Sequence, residues 1–105
     1  MKIYSARHND PGTMIESFKH KGLRQLFEDD NVRGVSTEHA RKIKQILATL
    51  HAAETIEAMR LPTFGLHPLK GDLKGFWALT VRANWRIIFR FESGKAFDID
   101  LVDYH

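Results

Sequence analysis

No cysteine occurs in the chain, which excludes disulfides and thiolate metal sites and fits a reducing compartment, with the cytoplasm as the expected location. Nor does any run approach the ~18 consecutive apolar residues that a membrane span needs. The start carries no apolar stretch of the secretory-signal type, and no repeat or low-complexity tract interrupts the sequence. Prolines number three and glycines seven, so the turn signals are few enough to place one by one. What is present is the material of one domain. A chain of 105 residues can bury roughly 60–70% of its unfolded surface, and a 43% hydrophobic share with 28% charge is ordinary for a soluble globular protein. A net charge of +3 admits an anionic partner such as nucleic acid without requiring one.

Residues 1–13, MKIYSARHNDPGT, are polar, lack periodicity and end in an Asp-Pro-Gly turn signal. They read as a leader, an artificial remnant or an over-long start, poorly ordered, with a regulatory arm as the alternative; residues 14–105 read as the folded domain. From Ile15 the run IESFKH alternates like a short strand. Leu23, Leu26 and Phe27 then recur at helical spacing up to about Glu28. Asp29-Asp30-Asn31 and Gly34 mark a loop, and the aspartates are a solvated turn rather than a metal site. Ser36 is placed to cap the next helix, with Glu38 in its first turn. Ala40, Ile43, Ile46, Leu47, Leu50 and Ala53 give that helix one buried stripe. Arg41, Lys42, Lys44 and Gln45 fall on its outer side, as a solvated face or as a contact for a nucleic-acid backbone. Thr55 is placed to cap a short last helix that Pro62 stops. Helices lead and strands follow, so the class is α+β with an antiparallel sheet.

Residues 66–91 carry three strand-like runs with basic residues at alternate positions. Leu79 and Val81, and Trp85, Ile87, Phe89 and Phe91, must face one core. Opposed residues of an antiparallel pair share a face. A three-residue turn at Ala83-Asn84-Trp85, setting Val81 opposite Ile87 and Leu79 opposite Phe89, therefore fits better than a two-residue turn. That register puts Arg82 opposite Arg86 on the polar face, a like-charge pair suited to an anion. In the last run Phe97, Ile99 and Leu101 point inward, and a three-residue turn sets Asp98 opposite Arg90 as a structural ion pair. Arg82 and Arg86 are left as phosphate binders.

His67 turns outward if Leu66 faces the core, and Lys70 follows at the mouth of the loop KGDLKG. That loop lacks the GxxxxGK[ST] pattern of a triphosphate cradle and reads as a hairpin connection. Strict alternation sends Asp103 to the core face and Tyr104 to the polar face; fraying would let Asp103, Tyr104 and His105 all reach the cleft. Two imidazoles with cations on one face suit RNA cleavage. That reaction takes a proton from a ribose 2′-hydroxyl, stabilises phosphate charge and protonates the leaving 5′-oxygen, with no metal or other cofactor required.

IESFKHKGL after Met14, LHPLKGDLKGFW from Leu66, RANWRIIFRF from Arg82 and the closing VDYH together resemble the HigB toxins, the plasmid-maintenance killer proteins of the RelE superfamily. The resemblance spans Met14 to His105 and leaves residues 1–13 outside. It implies a RelE-like fold, with N-terminal helices packed on a small, mainly antiparallel twisted sheet. It also implies a toxin that cuts messenger RNA in the ribosomal decoding site and is restrained by a HigA-type antitoxin. The family's catalytic positions fall on His67, Lys70, Asp103, Tyr104 and His105, and its phosphate-facing arginine on Arg86. The competing expectations are a ParE-like toxin that inhibits DNA gyrase through protein contact, and a non-catalytic RNA- or antitoxin-binding module.

Overall fold

Apolar residues at three- and four-residue steps require one helix to lie flat on a core, and they do so in α2, Thr37–Ala52. Its Ala40, Ile43, Ile46, Leu47 and Leu50 are buried, each larger side chain contributing about 1.5–3 kcal/mol relative to exposure. Ser36 holds the N-cap position, but its hydroxyl makes no capping bond; its carbonyl accepts from the His39 N–H at 3.0 Å. The computed structural model describes Tyr4–Ser5 and residues 14–104.

The shorter helix α1, Lys21–Asp29, starts on a side chain the sequence reading overlooked. His20 Nδ1 accepts from the Leu23 N–H at 3.1 Å and so serves as the cap. The helix ends at Asp30, in the left-handed region at φ 54°. Gly22 in its first turn lies against Gly34, and a Cβ there would stand 2.3 Å from the Gly34 carbonyl oxygen. Only glycine admits that crossing. The third helical segment is a 3-10 turn, Ile56–Met59, which buries Met59; Thr55 precedes it without a side-chain capping bond.

Six strands form one sheet: β1 Tyr4–Ser5, β2 Ser17–Phe18, β3 His67–Pro68, β4 Phe76–Arg82, β5 Trp85–Glu92 and β6 Lys95–Asp103. Their order is β1-β2-β6-β5-β4-β3, antiparallel except where β2 runs parallel to β6. The mixed α+β architecture is the expected one. Of the first thirteen residues, Tyr4 and Ser5 pair with Phe18 and Ser17; the others, and His105, lie outside the described residues. One face of the sheet packs under the helices, where Leu79, Ile87, Phe89 and Ile99 meet Leu23, Leu26, Ile43, Leu47 and Leu50.

The face assignment of that core is correct, but the register is not. Leu79 lies opposite Ile87 and Trp77 opposite Phe89. The β4–β5 turn has two residues, Ala83 and Asn84, with Arg82 opposite Trp85, and a bulge between Thr80 and Arg82 restores the core register beyond it. Regular alternation disfavours a two-residue turn because it sets Val81 opposite Arg86; an extra residue in one strand removes that conflict. Arg86 therefore faces Thr80, and Arg82 is not its partner. A second irregularity lies between Ile88 and Arg90 where β5 meets β6. The β5–β6 turn also has two residues, so Arg90 is opposite Phe97, and Phe97 joins the polar face while Ala96 takes the inward place. Asp98, at φ 55°, marks the displaced position.

The outer face of α2 is largely committed to the fold. Lys44 Nζ reaches Asp30 Oδ1 at 2.6 Å, and Lys42 Nζ donates to the Thr63 carbonyl at 2.9 Å.

Candidate functional site

The sheet face turned away from the helices carries His67 from β3, Ala78 and Thr80 from β4, Ile88 and Arg86 from β5, and Asp100 and Val102 from β6. These positions share a face because directly opposed residues of antiparallel strands do. His67 pairs with Ala78, Ala78 with Ile88, and Ile88 with Asp100, so one row crosses four strands. Arg86 stands in the next row with Thr80 and Val102. From β3 to β5 is two strand spacings, about 10 Å.

His67 is exposed, yet its ring is held. Nδ1 lies 3.0 Å from the Gly65 carbonyl oxygen. A carbonyl can only accept, so a hydrogen bond here requires the hydrogen on Nδ1, and in the neutral ring that leaves Nε2 as the nitrogen able to take a proton. The two residues that precede Gly65 are themselves anchored. Phe64 is fully buried, its own carbonyl accepts from the Thr80 N–H at 2.7 Å, and Lys42 grips Thr63. No pattern in the sequence announces this arrangement. The one available signal is Gly65 two residues before the histidine.

Lys70 is exposed at the entrance to a 3-10 turn, Gly71–Leu73, immediately beyond the point where the Leu69 N–H meets the Phe76 carbonyl. The loop is the hairpin connection expected of it. Lys19, at the end of β2, reaches across the same face and sets its ammonium 5.3 Å from the Phe76 ring centre, adding a cation that the sequence reading did not single out. Beside it His20 is half-buried. Burial holds its ring below the ordinary histidine value of 6.5, while the nearby Asp100 carboxylate pulls the other way.

Arg86 is less available than a free guanidinium. Its Nη1 donates to the Ala83 carbonyl at 2.5 Å and to the Trp85 carbonyl at 3.1 Å, which fixes the head over the β4–β5 turn. Arg82 is exposed at the end of β4, in the row Arg82–Trp85–Asp103. That row belongs to the helix side of the sheet, where the His39 ring lies 6.0 Å from Trp85. Asp103 thus follows the strict alternation and sits exposed at the rim. Tyr104 is 37% exposed, and its N–H donates to the Asn84 carbonyl at 2.8 Å, extending the β5–β6 ladder by one residue. His67 and Arg86 therefore share the face away from the helices, whose middle residues Ala78 and Ile88 are buried; Arg82 and Asp103 stand at its rim, Tyr104 is tied to the rim turn, and His105 lies outside the described residues. A separate groove of about 510 Å³ between α1 and α2, lined by Phe27, Asp29, Lys44 and Ala48 among others, lies on the helix side and contains none of these residues.

Comparison with known proteins gives a family and two relatives. The family described as RelE-like toxin of type II toxin-antitoxin system HigB matches residues 16–105. Endoribonuclease HigB of Proteus vulgaris is 46% identical over 92 residues, covering 88% of this chain and all of that protein. Toxin HigB-1 of Vibrio cholerae serotype O1 is 31% identical over 87 residues, covering 81% of this chain and 92% of that protein.

Proposed function

Because this chain belongs to the HigB-like family of RelE-like toxins from type II toxin–antitoxin systems, we propose that it is an endoribonuclease that cuts messenger RNA on the ribosome. A toxin of this type is paired with an antitoxin; a HigA-type protein is the partner we infer, and the cytoplasm, where translation occurs, is the site of action. No helix among the described residues is long and apolar enough to cross a membrane.

The reaction is a transesterification within the RNA. A base takes the proton of a ribose 2′-hydroxyl, the 2′-oxygen attacks the adjacent phosphorus, and the P–O5′ bond breaks. An acid returns a proton to the 5′-oxygen, leaving a 2′,3′-cyclic phosphate. The observation that carries this reading is the bond from His67 Nδ1 to the Gly65 carbonyl, which leaves Nε2 as a proton acceptor on the open face. His67 and the terminal pair Asp103 and His105 divide the base and acid roles. Lys70 and Arg86 stabilise the charge gathering on the phosphate, Arg82 engages a neighbouring phosphate from the rim, and Tyr104 orients or stacks on a nucleotide.

Sequencing RNA ends after induction tests the proposal. Cyclic-phosphate termini inside translated messages are the expected result. Arrested replication without cut RNA would instead point to gyrase inhibition, and bound but uncut RNA to a non-catalytic module. His67→Gln should lower cleavage roughly 10²–10⁴-fold while keeping antitoxin binding.

A further inference from the structure

The backbone that holds His67 is built to unusual tolerances. Gly65 has φ +58°, in the left-handed region, and a Cβ at that position would stand 2.9 Å from Thr80 Oγ1. Glycine therefore meets two demands there, a backbone angle that L side chains rarely adopt and an approach to β4 that leaves no room for a methyl group. Both demands lead to one result, which is the direction of the Gly65 carbonyl. That oxygen lies 3.0 Å from His67 Nδ1.

We propose that Gly65 is a positioning residue for RNA cleavage: its left-handed backbone, seated against Thr80, aims its carbonyl at His67 Nδ1 and so selects Nε2 as the nitrogen that exchanges the proton. The proposal rests on the acid/base role of His67 given above. It adds that this role depends on a backbone acceptor two residues upstream, on an element locked to the core by Phe64 and to β4 by the Thr80 N–H. Nδ1 donates in both the neutral and the protonated ring, so the ring keeps its place while Nε2 gains or loses a proton. A side chain in solvent has no such restraint. His67 is exposed, and its neighbour Ala78 across the strand pair has no polar side-chain atom to offer.

The experiment reads the ring directly and needs no ribosome for its first arm. Long-range proton–nitrogen correlation spectra of the full chain, with His67 assigned by its absence in His67→Gln, report which nitrogen carries hydrogen in the neutral ring. The expected result is an excess of the Nδ1–H form of about tenfold. Gly65→Ala should erase that excess and lower kcat for cleavage on programmed ribosomes roughly ten- to hundredfold, with KM little changed. Gly65→Ala combined with Thr80→Ala, which removes the hydroxyl the new methyl would meet, should recover part of both. A wild-type ring in the Nε2–H form, in a chain that still cuts RNA, would overturn the positioning role alone. Full activity of Gly65→Ala would do the same. A wild-type chain that holds the Nδ1–H form but cuts no message would overturn the nuclease reading and this role with it. The wild-type spectrum decides the geometry even where Gly65→Ala does not fold.

Discussion

Arg90 Nε bonds Asp98 Oδ2 at 3.0 Å, although the strand register sets Phe97, not Asp98, opposite Arg90. The pair forms because Asp98 occupies the left-handed region at φ 55°, where its strand is displaced, so the carboxylate reaches a guanidinium that a regular ladder would have denied it. The same backbone lets the Asp98 N–H donate to Ser17 Oγ at 2.9 Å, linking β6 to β2. Arg90 also lies over the Phe97 ring, 5.2 Å from its centre.

Charge and backbone can be separated at this position. Asp98→Asn keeps a residue that tolerates the left-handed region and loses only the ion pair, so chemical denaturation should show a loss of about 0.5–1 kcal/mol. Asp98→Ala loses the pair and adds backbone strain, for a total of roughly 1.5–3 kcal/mol. Equal losses would mean that the backbone angle matters little.

The crossing of α1 over the loop at Gly34 depends on the absence of a single methyl group. Gly22→Ala places a Cβ against the Gly34 carbonyl oxygen, where backbone on both sides prevents easy relief. A destabilisation of about 1–3 kcal/mol is expected, lowering Tm by roughly 4–8 °C for each kcal/mol. Calorimetry on the purified variant measures it directly.

His20 makes stability depend on pH. Its folded-state value lies below 6.5, mainly through burial, with Asp100 opposing the shift. Well above 6.5 the ring is neutral in both states and its full contribution is present. As pH falls below that value, the unfolded chain takes up a proton that the folded ring resists, and stability is lost until the folded ring titrates as well. Protonation also converts the Nδ1 acceptor that caps α1 into a donor. Wild-type Tm should therefore fall more steeply than that of His20→Asn between about pH 7 and about pH 5, since asparagine can cap without titrating. Parallel slopes would remove His20 as the cause.

Truncation before Asp103 removes the proposed acid/base partner of His67 together with the ladder bond from Tyr104 to Asn84. Cleavage on programmed ribosomes should drop roughly 10²–10⁴-fold. The core rows from Leu101 inward remain intact, so the thermal midpoint should move far less than it does for Gly22→Ala. Undiminished cutting would take the terminus out of the mechanism.

Which face β4 and β5 turn to the core was legible in the sequence, because Leu79, Ile87 and Phe89 alternate and helix α2 repeats its stripe; in β6 the alternation held for Ile99 and Leu101 but not for Phe97. The partners across each strand pair were not. An extra residue between Thr80 and Arg82, and the displacement at Asp98, change who faces whom without changing which residues are apolar. Counting from turn signals assumes regular ladders, and that assumption placed Arg82 against Arg86 and Phe97 in the core. The Arg90–Asp98 pair was anticipated from the wrong geometry. His20 as a cap and the Gly65 carbonyl as an acceptor for His67 are local side-chain and backbone events that periodicity does not record. Of the candidate site, the sequence named His67, Lys70, Arg86 and Asp103, while the Gly65 contact of His67, the Lys19 ammonium and the tethering of Arg86 depend on atomic positions.

The two-residue β4–β5 turn also splits the positive charge of that strand pair between two directions. Arg86 belongs to the face away from the helices, its head tied to the turn, and Arg82 is delivered around the corner opposite Trp85. A polyanion engaging both must bend over the lip of the sheet instead of lying along it. Deleting Val81 would remove the bulge yet leave Arg82 opposite Trp85, so the two arginines would still face apart while the core lost a buried side chain.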